Sequence, residues 1–502
     1  MENKACNEVV TAANMPMTVF DMISAMQNKY ADRVAFRYVE GKDTVVEKTY
    51  AQYVQDIRKV TGYLQQELGE PKGKKIVILS RTNYEYGAVV FGTMMAGAVI
   101  VTLNQGKTWA ELEHELGMME PDLIFNDGID YGYRAQLEAL YGARLRPMDA
   151  WTAAPEAEMV NRIDHEGLLM LMFTSGTTGR SKGVMLSEKN YFTACQMYIN
   201  GQKDILDQEE RLAPQYLDQT FSHFTLVPMF HLAGFICYFV YGMQGWTLNL
   251  CCDARDLRRD MSLMHSDAMS TPPVLVEMIC NEVKRGHADR LNGLWNLSCS
   301  SAILDPAILS ELVKNGFYIN QCYSMTELAG YGLLNVTQEG DHLRALGKPD
   351  GFCEVKVDET GEICVRGGCV MLGYYKDPET TAETIDKDGW LHTGDLARVD
   401  EEGYYYMTGR KKNLIILDSG ENVSPEELEK LLGKCDAIKE CIVKEMGKKI
   451  GTVVCCEDDK QQQVKAFVTE LNRTLPMYKR ISVVECSAEP LPRNALGKLL
   501  RR

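Results

Sequence analysis

The chain has 502 residues, of which 45% are hydrophobic and 25% charged, and its formal net charge is -16. That length supports more than one domain, and the composition is that of a folded globular protein, which excludes disordered, collagen-like and disulfide-scaffold classes. An acidic chain repels phosphate backbones at long range, so nucleic acid is not an expected partner.

The N-terminal stretch MENKACNEVVTAANMPM has neither an apolar run nor a basic flank, so it does not read as a signal peptide. Sixteen cysteines without such a signal imply a reducing compartment, the cytoplasm, with thiols used as small core residues. No C-x-x-C pair occurs, so no zinc or redox motif is expected.

In chain order, Lys74–Ser80 reads as a strand, Tyr84–Gly97 as a helix and Val99–Leu103 as a second strand. This βαβ order predicts parallel sheet covered by helices, continued by a strand at Asp122–Asn126. Leu168–Phe173 is an apolar run entering a Gly/Thr/Ser loop, and Val184–Leu186 leaves it. Leu226–Cys252 carries Pro228, Gly234, Gly242 and Gly245, which argues for a buried helix followed by a buried strand rather than a membrane span. Phe317–Gln321 is strand-like. From about Gly351 hairpins take over: CEVKV and EICVRG flank a turn at Asp358–Gly361, and DLARV and YYYMTG flank Asp400–Gly403. Ser424-Pro425-Glu426-Glu427 reads as a capping box, with Gly433 stopping the helix. The expected fold is α/β. A large N-terminal domain (1–409) of helix-covered sheets plus a β-rich subdomain precedes a small mobile α+β C-terminal domain (410–502).

The strongest local signal is Thr174-Ser175-Gly176-Thr177-Thr178-Gly179-Arg180-Ser181-Lys182-Gly183. Its glycines free the backbone to point N–H groups at an anion, and its hydroxyls and Lys182 add donors for phosphate oxygens. The spacing does not fit G-x-x-x-x-G-K-[ST], and a solvent loop between two strands is the less favoured alternative for the stretch taken alone. It is accompanied, in order, by Tyr323-Ser324-Met325-Thr326-Glu327, Trp390-Leu391-His392-Thr393-Gly394-Asp395, Gly409-Arg410-Lys411-Lys412, Gly420-Glu421-Asn422-Val423-Ser424-Pro425 and Pro492-Arg493-Asn494-Ala495-Leu496-Gly497-Lys498. With these motifs nearly the whole chain resembles the adenylate-forming (AMP-binding) superfamily, which includes acyl-CoA synthetases.

The resemblance implies an AMP-forming acid–thiol ligase using ATP, Mg²⁺ and CoA. Thr174, Ser175, Gly176, Thr177, Thr178, Gly179 and Lys182 would cradle the β,γ-phosphates. Glu327 would help hold Mg²⁺, a hard cation that takes oxygen ligands. Ala302, Tyr323 and Thr326 would border the adenine, with Asp395 and Arg410 on the ribose. Lys498 would be catalytic, bridging the acid's carboxylate and the α-phosphate, and its reversible acylation is a family-analogous control point. Lys412 would be the hinge, with Gly420 and Asn422 bordering the CoA channel.

Pro228-Met229-Phe230-His231-Leu232-Ala233-Gly234 matches the acyl-side motif, placing Phe230 and His231 beside the substrate with Ser300 and Ser324. No aspartate stands there to hold an α-amine, which favours a plain carboxylic acid. The apolar residues Phe235, Ile236, Tyr238, Phe239 and Val240 read equally as pocket lining or plain core. Ser300-Ser301 stand where the family often has two glycines, and Ser324 where it usually has one. The added side chains disfavour a bulky acid. The stretch between Gly433 and Pro492 is shorter than usual. This keeps a carrier protein's phosphopantetheine, delivered in trans, as an alternative acceptor to CoA. A non-catalytic nucleotide or acyl sensor is a further alternative, opposed by the joint presence of Glu327, Asp395 and Lys498.

Overall fold

The computed structural model describes residues 10–174, 181–208, 221–300, 304–338, 340–416, 422–447, 449–493 and 499, with no side chain described at 202–208, 416 and 422. The chain divides into two compact units, one of residues 1–354 and 365–391, the other of 355–364 and 392–502. The second unit therefore begins earlier in the chain than the change of composition near Arg410.

Among its described residues the first unit holds two sheets. The seven-stranded one runs Gly373–Tyr374, Lys182–Leu186, Met170–Thr174, Val99–Thr102, Lys75–Leu79, Leu123–Asn126, Leu145–Pro147. Its centre is parallel, as the βαβ order predicts. These central strands are mostly apolar because helices such as Tyr84–Met95 cover them, and residues 76–79 are fully buried.

The eight-stranded sheet runs Gly332–Asn335, Tyr318–Ser324, Asn296–Ser300, Ala268–Thr271, Ser222–Thr225, Thr247–Leu250, Val34–Glu40, Thr44–Thr49. Four of its strands, from Ser222–Thr225 to Tyr318–Ser324, are parallel neighbours. Side chains alternate faces along a strand. Phe224, Met269, Leu297, Cys299 and Ile319 share one face and join an apolar cluster with Met261, Ile279 and Leu309 from the helices below. The stretch 226–252 resolves into the buried helix Leu232–Gln244 and the strand Thr247–Leu250. Among the described residues no helix is long and apolar enough to cross a membrane.

The second unit carries the hairpins and the C-terminal α+β residues. Strands Glu354–Val357, Glu362–Arg366, Leu391–Val399 and Tyr405–Arg410 form one sheet, of which Glu354, Val365, Arg366 and Leu391 are grouped with the first unit. Turns at Asp358–Gly361 and Asp400–Gly403 close its hairpins as predicted. Beyond them, Glu440–Met446, Lys449–Cys455 and Val483–Ser487 form a sheet packed with the helix Pro425–Leu432 around Leu428, Leu432, Val443, Ile450 and Val468.

One local expectation is corrected. Pro425 does open the helix and Gly433 ends it, but Ser424 forms no capping box. Its hydroxyl donates instead to the Thr408 carbonyl at 2.8 Å, tying the helix start to the preceding hairpin.

Candidate active site

In the first unit Met170–Thr174 and Lys182–Leu186 pair antiparallel with Thr174 opposite Lys182, so both feet of the glycine-rich turn stand on one ladder. Ser175, Gly176, Thr177, Thr178 and Gly179 themselves lie outside the described residues. Lys107 donates to the Ser181 hydroxyl at 3.3 Å and pairs with Glu115, whose side chain is fully buried. Neither Lys107 nor Glu115 belongs to any motif that the sequence reading used.

Lys182 Nζ lies 4.8 Å from the centroid of the Tyr374 ring, a cation–π distance. The Tyr374 hydroxyl donates to Glu327 Oε1 at 3.0 Å. Burial, and then the Glu327 charge, push the phenol pKa up. The short strand Gly373–Tyr374 is added to the edge at Lys182–Leu186, and the Met371 N–H donates to the Glu327 carbonyl at 2.9 Å. Residues 371–374 thus join the lysine to the carboxylate, although about 150 positions separate Lys182 from Glu327 in the sequence.

Tyr323 and Ser324 end the Tyr318–Ser324 strand, which runs further than the sequence reading placed it. They face Leu333 and Gly332 on the antiparallel neighbour. A Cβ at Gly332 would stand 1.5 Å from the Tyr323 carbonyl oxygen, so this ladder closes only over glycine. The 3-10 turn Thr326–Leu328 follows and carries Thr326 and Glu327. Ser300 ends the adjacent strand, opposite Cys322; Ala302 lies outside the described residues.

His231 caps the helix Leu232–Gln244. Its Nδ1 accepts the Ala233 N–H at 3.3 Å, so the neutral ring carries its proton on Nε2, and burial holds its pKa below the usual value. A Cβ at Gly234 would stand 2.5 Å from the Val227 and Pro228 carbonyl oxygens, which explains the glycine in the Pro228–Gly234 motif. A cavity of about 70 Å³ lies between this helix and the parallel strands. Ile236, Val240 and Ser300 line it, whereas half-buried Phe230 and His231 are not among its lining residues. Phe235 and Phe239 turn instead to Tyr191, at ring separations of 5.4 and 5.2 Å.

In the second unit Asp395 and Arg410 stand opposite each other on one antiparallel ladder, with Arg410 Nε 2.8 Å from Asp395 Oδ1. Asp395 is only 3% exposed. Gly394, at φ +73°, turns its N–H to Glu362 Oε1 at 2.7 Å, and Lys411 Nζ reaches Glu362 Oε2 at 2.7 Å. Lys412 sits in the exposed 3-10 turn Lys411–Asn413. Asn422 opens the two-residue strand Asn422–Val423, its side chain undescribed, while Gly420 and Lys498 lie outside the described residues. Elsewhere in this unit Asp358, Cys364 and His392 bring ligand-type atoms within 4.8 Å of one another. Burial pushes the Cys364 thiol up to about 11, and no sequence spacing announces the group because its members come from separate strands and a turn.

Compared with known proteins, residues 24–375 match the family model described as "AMP-binding enzyme", which is more than half of the chain. The chain belongs to the AMP-binding enzyme family. Among curated relatives it is 26% identical to a 4-coumarate--CoA ligase-like protein of Arabidopsis thaliana, and 26% to a long-chain-fatty-acid--CoA ligase of Salmonella typhi. Each alignment covers 97% of this chain and 93% of the relative. An o-succinylbenzoate CoA synthetase of Bacillus subtilis, solved with its acyl-adenylate intermediate, superposes with a TM-score of 0.78 at 23% identity. It covers 96% of both chains and shares this AMP-binding fold.

Proposed function

We propose that the chain is an ATP-dependent carboxylic acid:CoA ligase that passes through an acyl-adenylate. The observation that carries this reading is the Lys182–Tyr374–Glu327 cluster at the base of the hydroxyl-rich turn. It supplies a cation, suited to phosphate oxygens, and a hydrogen-bonded carboxylate, suited to a metal ion, which supports this reading. Relatives over nearly the full length are named CoA ligases.

In the first half-reaction a carboxylate oxygen of the acid attacks the α-phosphorus, and the bond to pyrophosphate breaks. In the second, the CoA thiolate attacks the acyl carbon and AMP leaves with the electron pair, giving the thioester. Thr174–Lys182 binds the phosphates and Glu327 holds Mg²⁺, which when bound neutralises phosphate charge. The Glu327 carboxylate, already oriented by Tyr374, is the oxygen donor such a cation requires. Ala302, Tyr323 and Thr326 border the adenine, and Asp395 accepts the ribose hydroxyls while Arg410 orients it. Lys498 stabilises charge as the two anions meet. Lys412 serves as hinge for residues 410–502, with Gly420 and Asn422 bordering the thiol's path. The cytoplasm is the proposed compartment.

Purified protein given its acid should exchange labelled pyrophosphate into ATP and release AMP once CoA is added. Lys498→Ala should lower exchange by about 10²–10³, the usual cost of losing one transition-state donor. Unchanged exchange in that variant would remove Lys498 from the mechanism. Exchange without CoA-dependent AMP release would move the acceptor to a carrier protein, the reading that the short stretch before Pro492 favours.

A further inference from the structure

The four parallel strands behind the helix Leu232–Gln244 are two-faced in a way that buried parallel strands usually are not. Away from the apolar cluster, side chains in register form polar or small rungs. His223 stands beside Ala268 and Asn296, and Thr225 beside Ser270, Ser298 and Asn320, with Ser300 beside Cys322 above them. The cavity of about 70 Å³ lies on this face, and His223, Ser270, Asn296, Ser298, Ser300 and Asn320 line it. The helix supplies Ala233, Ile236, Cys237, Val240 and Tyr241, all on one helical stripe, as the opposite wall.

His223 is the decisive residue. It is 0% exposed, and its Nε2 accepts the Ser270 backbone N–H at 3.2 Å. The neutral ring therefore carries its proton on Nδ1, and that Nδ1–H has no hydrogen-bond partner among the described residues. Tyr241 stacks on the ring at 4.3 Å between centroids, fixing its plane. A buried donor without an acceptor is costly to the free protein and is satisfied by a bound one. Burial keeps the ring uncharged, and among the described residues no lysine or arginine lines the cavity, so a second carboxylate is not what it would hold.

We infer that His223 is a specificity residue for the acid, and that the acid is compact and carries an uncharged hydrogen-bond-accepting oxygen, as a keto, hydroxyl or ether group, away from its carboxylate. This rests on the proposed ligase reading and names its substrate class. The cavity is far below the ~300–1,000 Å³ of sites for drug-sized ligands, which argues against a long unbranched acyl chain.

The test is ATP–pyrophosphate exchange with the full-length enzyme over acids of four to eight carbons, each alkanoic acid matched with its keto and hydroxy analogues. The oxygenated acids should exceed the alkanoic ones at least tenfold in kcat/KM. In His223→Leu that ratio should collapse toward one, chiefly through KM of the oxygenated acids. ATP-induced thermal stabilisation of the variant reports that it is folded. Equal or better use of alkanoic acids by the wild type overturns the inference while leaving the ligase reading intact. A preference that survives in folded His223→Leu overturns the role of His223. Should the variant not fold, the wild-type ratio alone decides the substrate class. Absence of exchange with every acid, together with no AMP release from acid, ATP and CoA, overturns the ligase reading and the inference with it.

Discussion

Tyr374 connects two groups that the sequence singled out, yet no motif pointed to it. Its hydroxyl donates to Glu327 while its ring faces Lys182. If Glu327 holds Mg²⁺ as proposed, Tyr374 positions the ligand carboxylate without binding the metal itself, and losing a partner of this kind typically weakens metal binding about 10–100-fold. Tyr374→Phe should therefore raise the Mg²⁺ concentration for half-maximal pyrophosphate exchange about tenfold, with a smaller change in the rate at saturating Mg²⁺. An unchanged Mg²⁺ titration would leave the tyrosine a purely packing role. Lys182 and Glu327 were legible because each sits in a compact run of unusual residues. Tyr374 was not, because Gly-Tyr-Tyr is unremarkable until the chain folds it onto the edge beside Val184. His223 was hidden for a similar reason: one histidine in the buried strand Ser222–Thr225 reads as core until the tautomer and the lack of a partner for Nδ1–H among the described residues are known.

At the scale of elements, periodicity carried most of the reading. The strand at 75–79, the helix at 84–95 and both hairpin turns follow from apolar runs and turn residues. What periodicity could not supply was neighbour order. The run N-L-S-C-S at 296–300 alternates small polar with apolar residues, but only its position beside Ala268–Thr271 and Tyr318–Ser324 turns that alternation into a continuous polar wall. The Ser424 hydroxyl shows the converse failure, since a local pattern predicted a local bond and a tertiary acceptor took it. The two faces of the parallel strands should respond differently to substitution. Leu297→Ala, on the packed face and fully buried, should cost about 2–5 kcal/mol in urea unfolding. Ser298→Ala, the next residue on the cavity face, should cost under about 1 kcal/mol and change kcat/KM for the acid instead. Comparable stability losses at both would contradict the division.

For the whole molecule, buried His223 couples the site to acid stability. Its folded pKa is lowered to about 3 by burial, against 6.5 for an unperturbed histidine. Between those values the unfolded chain binds a proton that the native one refuses, so this contribution is complete above pH 6.5 and declines as pH falls. From pH 6.5 to 4.5 the loss from this residue alone should be about 2–3 kcal/mol. It should be missing in His223→Leu, when urea unfolding of the two proteins is compared across that range. Identical pH slopes would show that the ring is not held neutral.

The same two-faced sheet bears on how this protein can diverge. Residues that decide which acid enters and residues that keep the sheet folded alternate along the same strands but project to opposite sides. An alteration of diet therefore need not disturb the interior that guarantees folding. Lineages descended from such a chain are free to explore new substrates by exchanging every second residue on four short segments, while the intervening positions stay fixed by packing.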